Sequence, residues 1–273
     1  LSLPDALPIS PISLYHLLEE GIFINTLIFL CIAGFLAGFI DCISGGGGII
    51  SLSAFLLSGL PPHLVLGTNK FCSCCSTLIS SIKFAQSDKV DFYLLKILAP
   101  FSFLGAILGV NTVLKINGNY LNSIVLILLL FVGIYSLFSK TAGMEDRFTG
   151  FSRKNMTLGI ILALCLGFYD GFLGAGVGSF LIFGLINIFG FDFVRAGGNC
   201  KALNFIGNVA AVIMFAMRGQ INLKLGIPIA IFMILGARLG TKVALNKGAK
   251  VIKPIFVTMS LAVAGKMLYV IMR

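Results

Sequence analysis

The sequence predicts an all-α fold: a polytopic transmembrane helical bundle of two related halves, with short broken helices after glycine-rich stretches. Three observations point there. The 273 residues are 58% hydrophobic and only 11% charged, with a mean hydropathy of +1.04; a soluble domain is about 45–50% apolar and about 25% charged. Several apolar runs exceed the roughly 18 residues that read as a membrane span. The second half of the chain repeats the pattern of the first.

Taken in order, residues 1–21 read as a tail, disordered or non-native, with Pro4, Pro8 and Pro11 in its first part. Apolar runs between charged or turn-like breaks then give ten segments: 22–43, 48–60, 64–84, 92–113, 119–138, 155–176, 177–191, 195–217, 222–244 and 252–271. Those at 48–60 and 177–191 are shorter than the about 20 residues of a crossing helix and are candidates for half-helices. The polar break "SKTAGMEDRFTGFSRK" (139–154) is a linker between repeat 1 (22–138) and repeat 2 (155–273), five segments each.

The duplication is legible residue by residue. A shift of 131 lays "LGAILG" (104–109) on "LGARLG" (235–240), Gly67 on Gly198 and Lys70 on Lys201. A shift of 129 lays "GFIDCISGGGG" (38–48) on "GFYDGFLGAGV" (167–177), so Asp41 falls on Asp170. Weak internal symmetry of this kind is typical of transporters.

Lysine and arginine in short loops set orientation. The linker holds Lys140, Arg147, Arg153 and Lys154, and the loop near 242–253 holds Lys242, Lys247, Lys250 and Lys253, so both are expected to be cytoplasmic. An even number of crossings must separate them, and four full spans satisfy that. If 177–191 only dips in and returns, three crossings remain and one basic loop lands outside. Five spans per half make the repeats inverted, with both chain ends outside. The net charge of +10 fits such boundary lysines; no basic run interleaved with aromatics suggests nucleic acid.

The run Gly45, Gly46, Gly47, Gly48 interrupts an apolar stretch and recurs in diluted form as Gly174, Gly176 and Gly178. In hydrocarbon an unwound backbone survives only inside protein or beside a water-filled cavity. Two symmetry-related breaks therefore mark a midplane binding site, and helix N-termini that follow them favour anions. The four-glycine copy is expected to be the more open one. The pairs Gly34/Gly38, Gly105/Gly109 and Gly236/Gly240 read instead as close helix packing.

Asp41, Lys70, Asp170 and Lys201 are ionisable groups within apolar segments, with Thr68 and Asn69 beside one lysine and Asn199 beside the other. Such groups face protein or water and are functional candidates. They form structural ion pairs, or hold a polar substrate between the halves. Arg238 has only Ile107 as counterpart and lines a pathway or reaches an interface. The cluster "CSCCS" (72–76) has no histidine or acid nearby and reads as packing, not metal ligation; no cofactor is implied.

These residues resemble the sulfite exporter TauE/SafE family of membrane permeases. The likeness runs from about residue 22 to 271 and rests on "GFIDCISGGGGIISLSAFLLSGLPPHLVLGTNKF" (38–71) and "GFYDGFLGAGVGSFLI" (167–182). It implies a bacterial inner-membrane carrier of small anions, often sulfur-containing, such as sulfite or sulfonates. A secondary transporter is the first expectation, with the bilayer and a small anion as partners and a coupling proton on Asp41 or Asp170 as an option. The competing readings are a membrane-embedded enzyme using Lys or Cys, and a sensor or assembly subunit. Oligomeric state is open.

Overall fold

The computed structural model describes residues 11–117 and 145–247, with side chains from residue 24 onward; the segments at 119–138 and 252–271 lie outside the described residues. Eight helices are described and no strand among these residues: α1 (Pro11–Ser44), α2 (Gly47–Leu56), α3 (Pro62–Gln86), α4 (Phe92–Val113), α5 (Arg153–Phe172), α6 (Val177–Phe189), α7 (Phe193–Met217) and α8 (Leu223–Lys247). Among the described residues, five stretches are long and apolar enough to cross a membrane: Ile24–Ser44, Phe92–Val113, Arg153–Phe172, Phe193–Met217 and Leu223–Lys247. Their outer faces expose large apolar side chains, such as Ile28 and Ile32 on α1, Leu104 and Leu108 on α4, and Ile231 and Leu235 on α8. That is the surface a lipid-facing bundle presents.

Local sequence explains the starts. Asp91, Ser152 and Asp192 cap α4, α5 and α7, each side chain accepting from a first-turn backbone N–H. Pro61 and Pro62 open α3, where the missing N–H costs nothing. α3 has 25 residues, yet it is not among the apolar spans. Its Asn69, Lys70, Thr77, Ser80 and Ser81 turn inward and are buried, so its polarity is spent inside the bundle.

The halves match in register. α3 and α7 begin at Pro62 and Phe193, and α4 and α8 at Phe92 and Leu223, each pair 131 residues apart. Packing repeats too. α1 lies along α8, with Gly38 on Met233 and Gly236 on the Phe35 carbonyl; α4 lies along α5, with Gly167 on Ser102 and Gly105 on the Leu164 carbonyl. A Cβ at these glycines would overlap the facing helix backbone, so the small-residue pairs are packing sites as expected.

The two short segments do not cross. With 10 and 13 residues, α2 and α6 span about 15 and about 20 Å, against about 30 Å of hydrocarbon. Each folds back along its predecessor: Gly47 sits against Ala37 of α1, and Gly184 against Leu162 of α5. The end of α6 returns to the linker, where Phe189 packs on Phe151 and the Arg147 N–H donates to the Gly190 carbonyl at 2.7 Å. This corrects the count of four full spans between the basic loops. α5 and α6 together form a hairpin that begins and ends beside the linker, so α7 and α8 are what carry the chain between the ends of the bundle. Two passes are an even number, which is compatible with Lys242 and Lys247 lying at the linker end of the bundle. α1–α2 is the matching hairpin from the other end, where His63 at the start of α3 bonds the Ile116 carbonyl beyond α4 at 3.1 Å.

At the linker end, Arg195 of α7 is the fastening. Its guanidinium lies 4.3 Å from the ring centroids of both Phe148 and Phe191, and it donates to Asp91 and Asp146 at 3.1 Å each. Position 64, its counterpart in repeat 1, is Leu64, so among the described residues the charged latch is at this end alone. Arg195→Gln is expected to cost about 1–3 kcal/mol from lost charged hydrogen bonds. It should open residues 145–152 to limited proteolysis at a lower temperature than wild type; unchanged cleavage would show that the latch holds nothing.

Candidate functional site

The hairpin tips meet inside the bundle. Gly45, with φ +74°, lies against the backbone of Gly178, and Gly48 lies against the Gly174 carbonyl. Ser179 Oγ donates across the contact to the Ser44 carbonyl at 3.1 Å. The first break is short, because α2 already begins at Gly47. The second runs from Leu173 to Gly176 and needs positive φ at both Gly174 and Gly176. The four-glycine copy is therefore the tighter one, contrary to expectation. Much of its glycine content serves close contact: Gly47 abuts the Ala37 carbonyl, where any Cβ would collide.

Around the tips the four intramembrane charges pair across the halves. Lys70 Nζ of repeat 1 donates to Asp170 Oδ1 of repeat 2 at 2.6 Å. Lys201 Nζ of repeat 2 donates to Asp41 Oδ2 of repeat 1, also at 2.6 Å. Asp170 lies beside Gly207, and its neighbour Gly171 sits on Ala106, near the middles of α7 and α4. The Lys70–Asp170 pair is thus central along α4 and α7.

The two pairs are not equivalent. Lys201 is sealed, its side chain 0% exposed, while Asp41 is 13% exposed. Lys70 makes a second bond, to Asn208 Oδ1 at 3.1 Å, and Asn208 Nδ2 donates to Thr77 Oγ1 at 3.3 Å. A cavity of about 30 Å³ opens between the tips, lined by both aspartates, Lys70, Gly45, Gly48, Asn69, Ser73, Thr77, Gly174, Gly178, Asn204 and Asn208 among others, but not by Lys201. That is room for a water-sized occupant and too little for an oxyanion, so this conformation is closed around its centre. Formally the site holds two positive and two negative side chains. The N-termini of α2 and α6 add partial positive charge.

Thr68 and Asn199 sit elsewhere. Thr68 Oγ1 accepts from the Asn222 N–H, and Asn199 Oδ1 from the Asp91 N–H, both at 2.9 Å. These residues are 131 apart and make the same bond at opposite ends of the bundle, tying α3 to the start of α8 and α7 to the start of α4. Gly46, Gly47 and Gly176 shape the tips without lining the cavity. Arg238 is exposed on the outer face of α8. Cys72 is buried, its thiol donating to the Gly226 carbonyl at 3.3 Å.

Sequence reasoning missed Ser73, Thr77, Asn204 and Asn208. A signal existed: Asn69, Ser73 and Thr77 repeat every four residues on α3, and Lys201, Asn204 and Asn208 form the matching stripe on α7. Thr77 and Asn208 are also 131 apart, and they meet.

The family model for the sulfite exporter TauE/SafE matches residues 30–267. The chain belongs to the TauE/SafE family. Among its relatives, a probable membrane transporter protein of Haemophilus influenzae is 36% identical over 246 residues, covering 90% of this chain and 96% of the relative. The probable membrane transporter protein ORF9 of a Sinorhizobium species is 36% identical over 244 residues, 89% of this chain and 93% of the relative. The probable membrane transporter protein YfcA of Escherichia coli K12 is 33% identical over 236 residues, 86% of each chain. No solved structure matches the chain. Membership in this TauE/SafE family of transporters, with five apolar helices, makes this a multi-pass protein of the bacterial inner membrane.

Proposed function

We propose that the chain is a secondary transporter that moves a small anion, sulfite or a sulfonate or related organosulfur anion, across the inner membrane by alternating access. The observation that carries this is the crossing of the two Lys–Asp pairs where two re-entrant tips meet. A buried cation held by a carboxylate is a site that an incoming anion competes for, and here each competition loosens one half from the other. Lys70, which borders the cavity, is the residue the anion engages. Lys201 holds Asp41 in place. The hairpins enter from opposite ends, which is the arrangement inverted repeats need to open toward either side. Both lysines are committed to carboxylates and Cys72 to a carbonyl, which favours carriage over enzymatic turnover.

Labelled sulfite flux in proteoliposomes tests this. Lys70→Met is expected to lower flux by about tenfold or more, corresponding to at least about 1.4 kcal/mol of lost anion stabilisation. Wild-type flux in a properly inserted Lys70→Met protein would remove Lys70 from the pathway.

A further inference from the structure

The central cavity is lined by oxygens that lack a donor. Asp170 Oδ2, Asn69 Oδ1 and Asn204 Oδ1 are buried without a hydrogen-bond partner. All three residues line the same space of about 30 Å³, and each is 4–5% exposed. Buried acceptors left unpaired are costly and call for an occupant. One water has two donors for three acceptors. A proton on Asp170 serves one amide oxygen and leaves the other. A cation serves all three at once. The donors are hard oxygens, which select alkali or alkaline-earth ions over softer metals. The charged side chains facing Asp170 are Lys70 on α3, Lys201 on α7 and Asp41 on α1, so the side chains are formally neutral, with partial positive charge added by the N-termini of α2 and α6. A divalent ion would leave two uncompensated charges in the membrane, a monovalent ion only one.

We propose that this cavity binds a single Na⁺ through Asp170 Oδ2 and the amide oxygens of Asn69 and Asn204, and that this ion is the one coupled to the anion. The coupling rests on the anion-transport reading above. Asp170 then bridges two cations, Lys70 on Oδ1 and Na⁺ on Oδ2. The added charge is what the anion offsets, so each ligand raises the affinity for the other by the same factor.

The test has two arms. ²²Na⁺ binding to the purified wild-type chain should be saturable and resist K⁺ and choline. Its affinity should fall at least tenfold in Asp170→Asn and measurably in Asn204→Ala and Asn69→Ala, which carry the test if Asp170→Asn does not fold. In proteoliposomes, sulfite flux should drop at least tenfold when choline replaces Na⁺ at constant ionic strength. Absent saturable binding, or binding unchanged in all three variants, overturns the site. Sulfite flux that follows a pH gradient and ignores Na⁺ overturns the coupling. Na⁺ binding without flux of any anion leaves the cation site standing and removes the transporter reading.

Discussion

Lys201→Met will destabilise the bundle by about 3–5 kcal/mol, the cost of leaving one partner of a buried ion pair uncompensated. The effect arises because Lys201 is fully sealed and Asp41, largely buried, is bonded to it at 2.6 Å. Thermal unfolding in detergent should show a large downward shift. Pairing Lys201→Met with Asp41→Asn should recover most of it, since replacing both charges removes the orphan. Crossing instead with Asp170→Asn should recover nothing, because Asp170 belongs to Lys70. Equal rescue by either asparagine would contradict the crossed pairing.

Gly45→Ala will abolish folded, transport-competent protein, while its neighbour Gly46→Ala will be tolerated. At Gly45 the left-handed backbone costs a side chain about 1–2 kcal/mol. The steric term is larger: a Cβ there would lie 2.5 Å from the Ser179 nitrogen and closer still to the Gly178 backbone, so backbone rather than a flexible side chain must shift. At Gly46 the nearest atoms to such a Cβ are 3.7 and 3.9 Å away, both side-chain oxygens, and φ is −93°. Yield of monodisperse protein after size exclusion would separate the two. Similar yields for both variants would mean that the tips do not touch.

Much of the fold was legible because bilayers impose simple rules. Hydropathy placed α4 at 92–113 to the residue, and the repeat shift carried over to the starts of α3, α4, α7 and α8. The re-entrant hairpins were only half legible. Segment length marked α2 and α6 as short, but the sequence does not say which way the chain leaves a glycine break; that is decided by Gly47 closing onto α1 and Phe189 returning to the linker aromatics. The charges were legible as a set, since Asp and Lys are conspicuous in apolar segments. Their partners were not, because nothing in the sequence says which aspartate faces which lysine. The amide residues Asn204 and Asn208 went unread beside the charges, though they sit on the helical stripe that Lys201 defines.

The swapped pairing also bears on what half of this chain could do alone. A single repeat contributes one aspartate and one lysine to the central cluster, and each of them is paired with the other half. Two copies facing each other in opposite orientations satisfy both, with Thr77 and Asn208 standing where the copies would meet on their shared axis. Cutting the chain within the linker should therefore yield fragments that are unstable singly and complement when co-expressed. A half-length ancestor with these residues would have had to insert both ways up and work as an antiparallel homodimer.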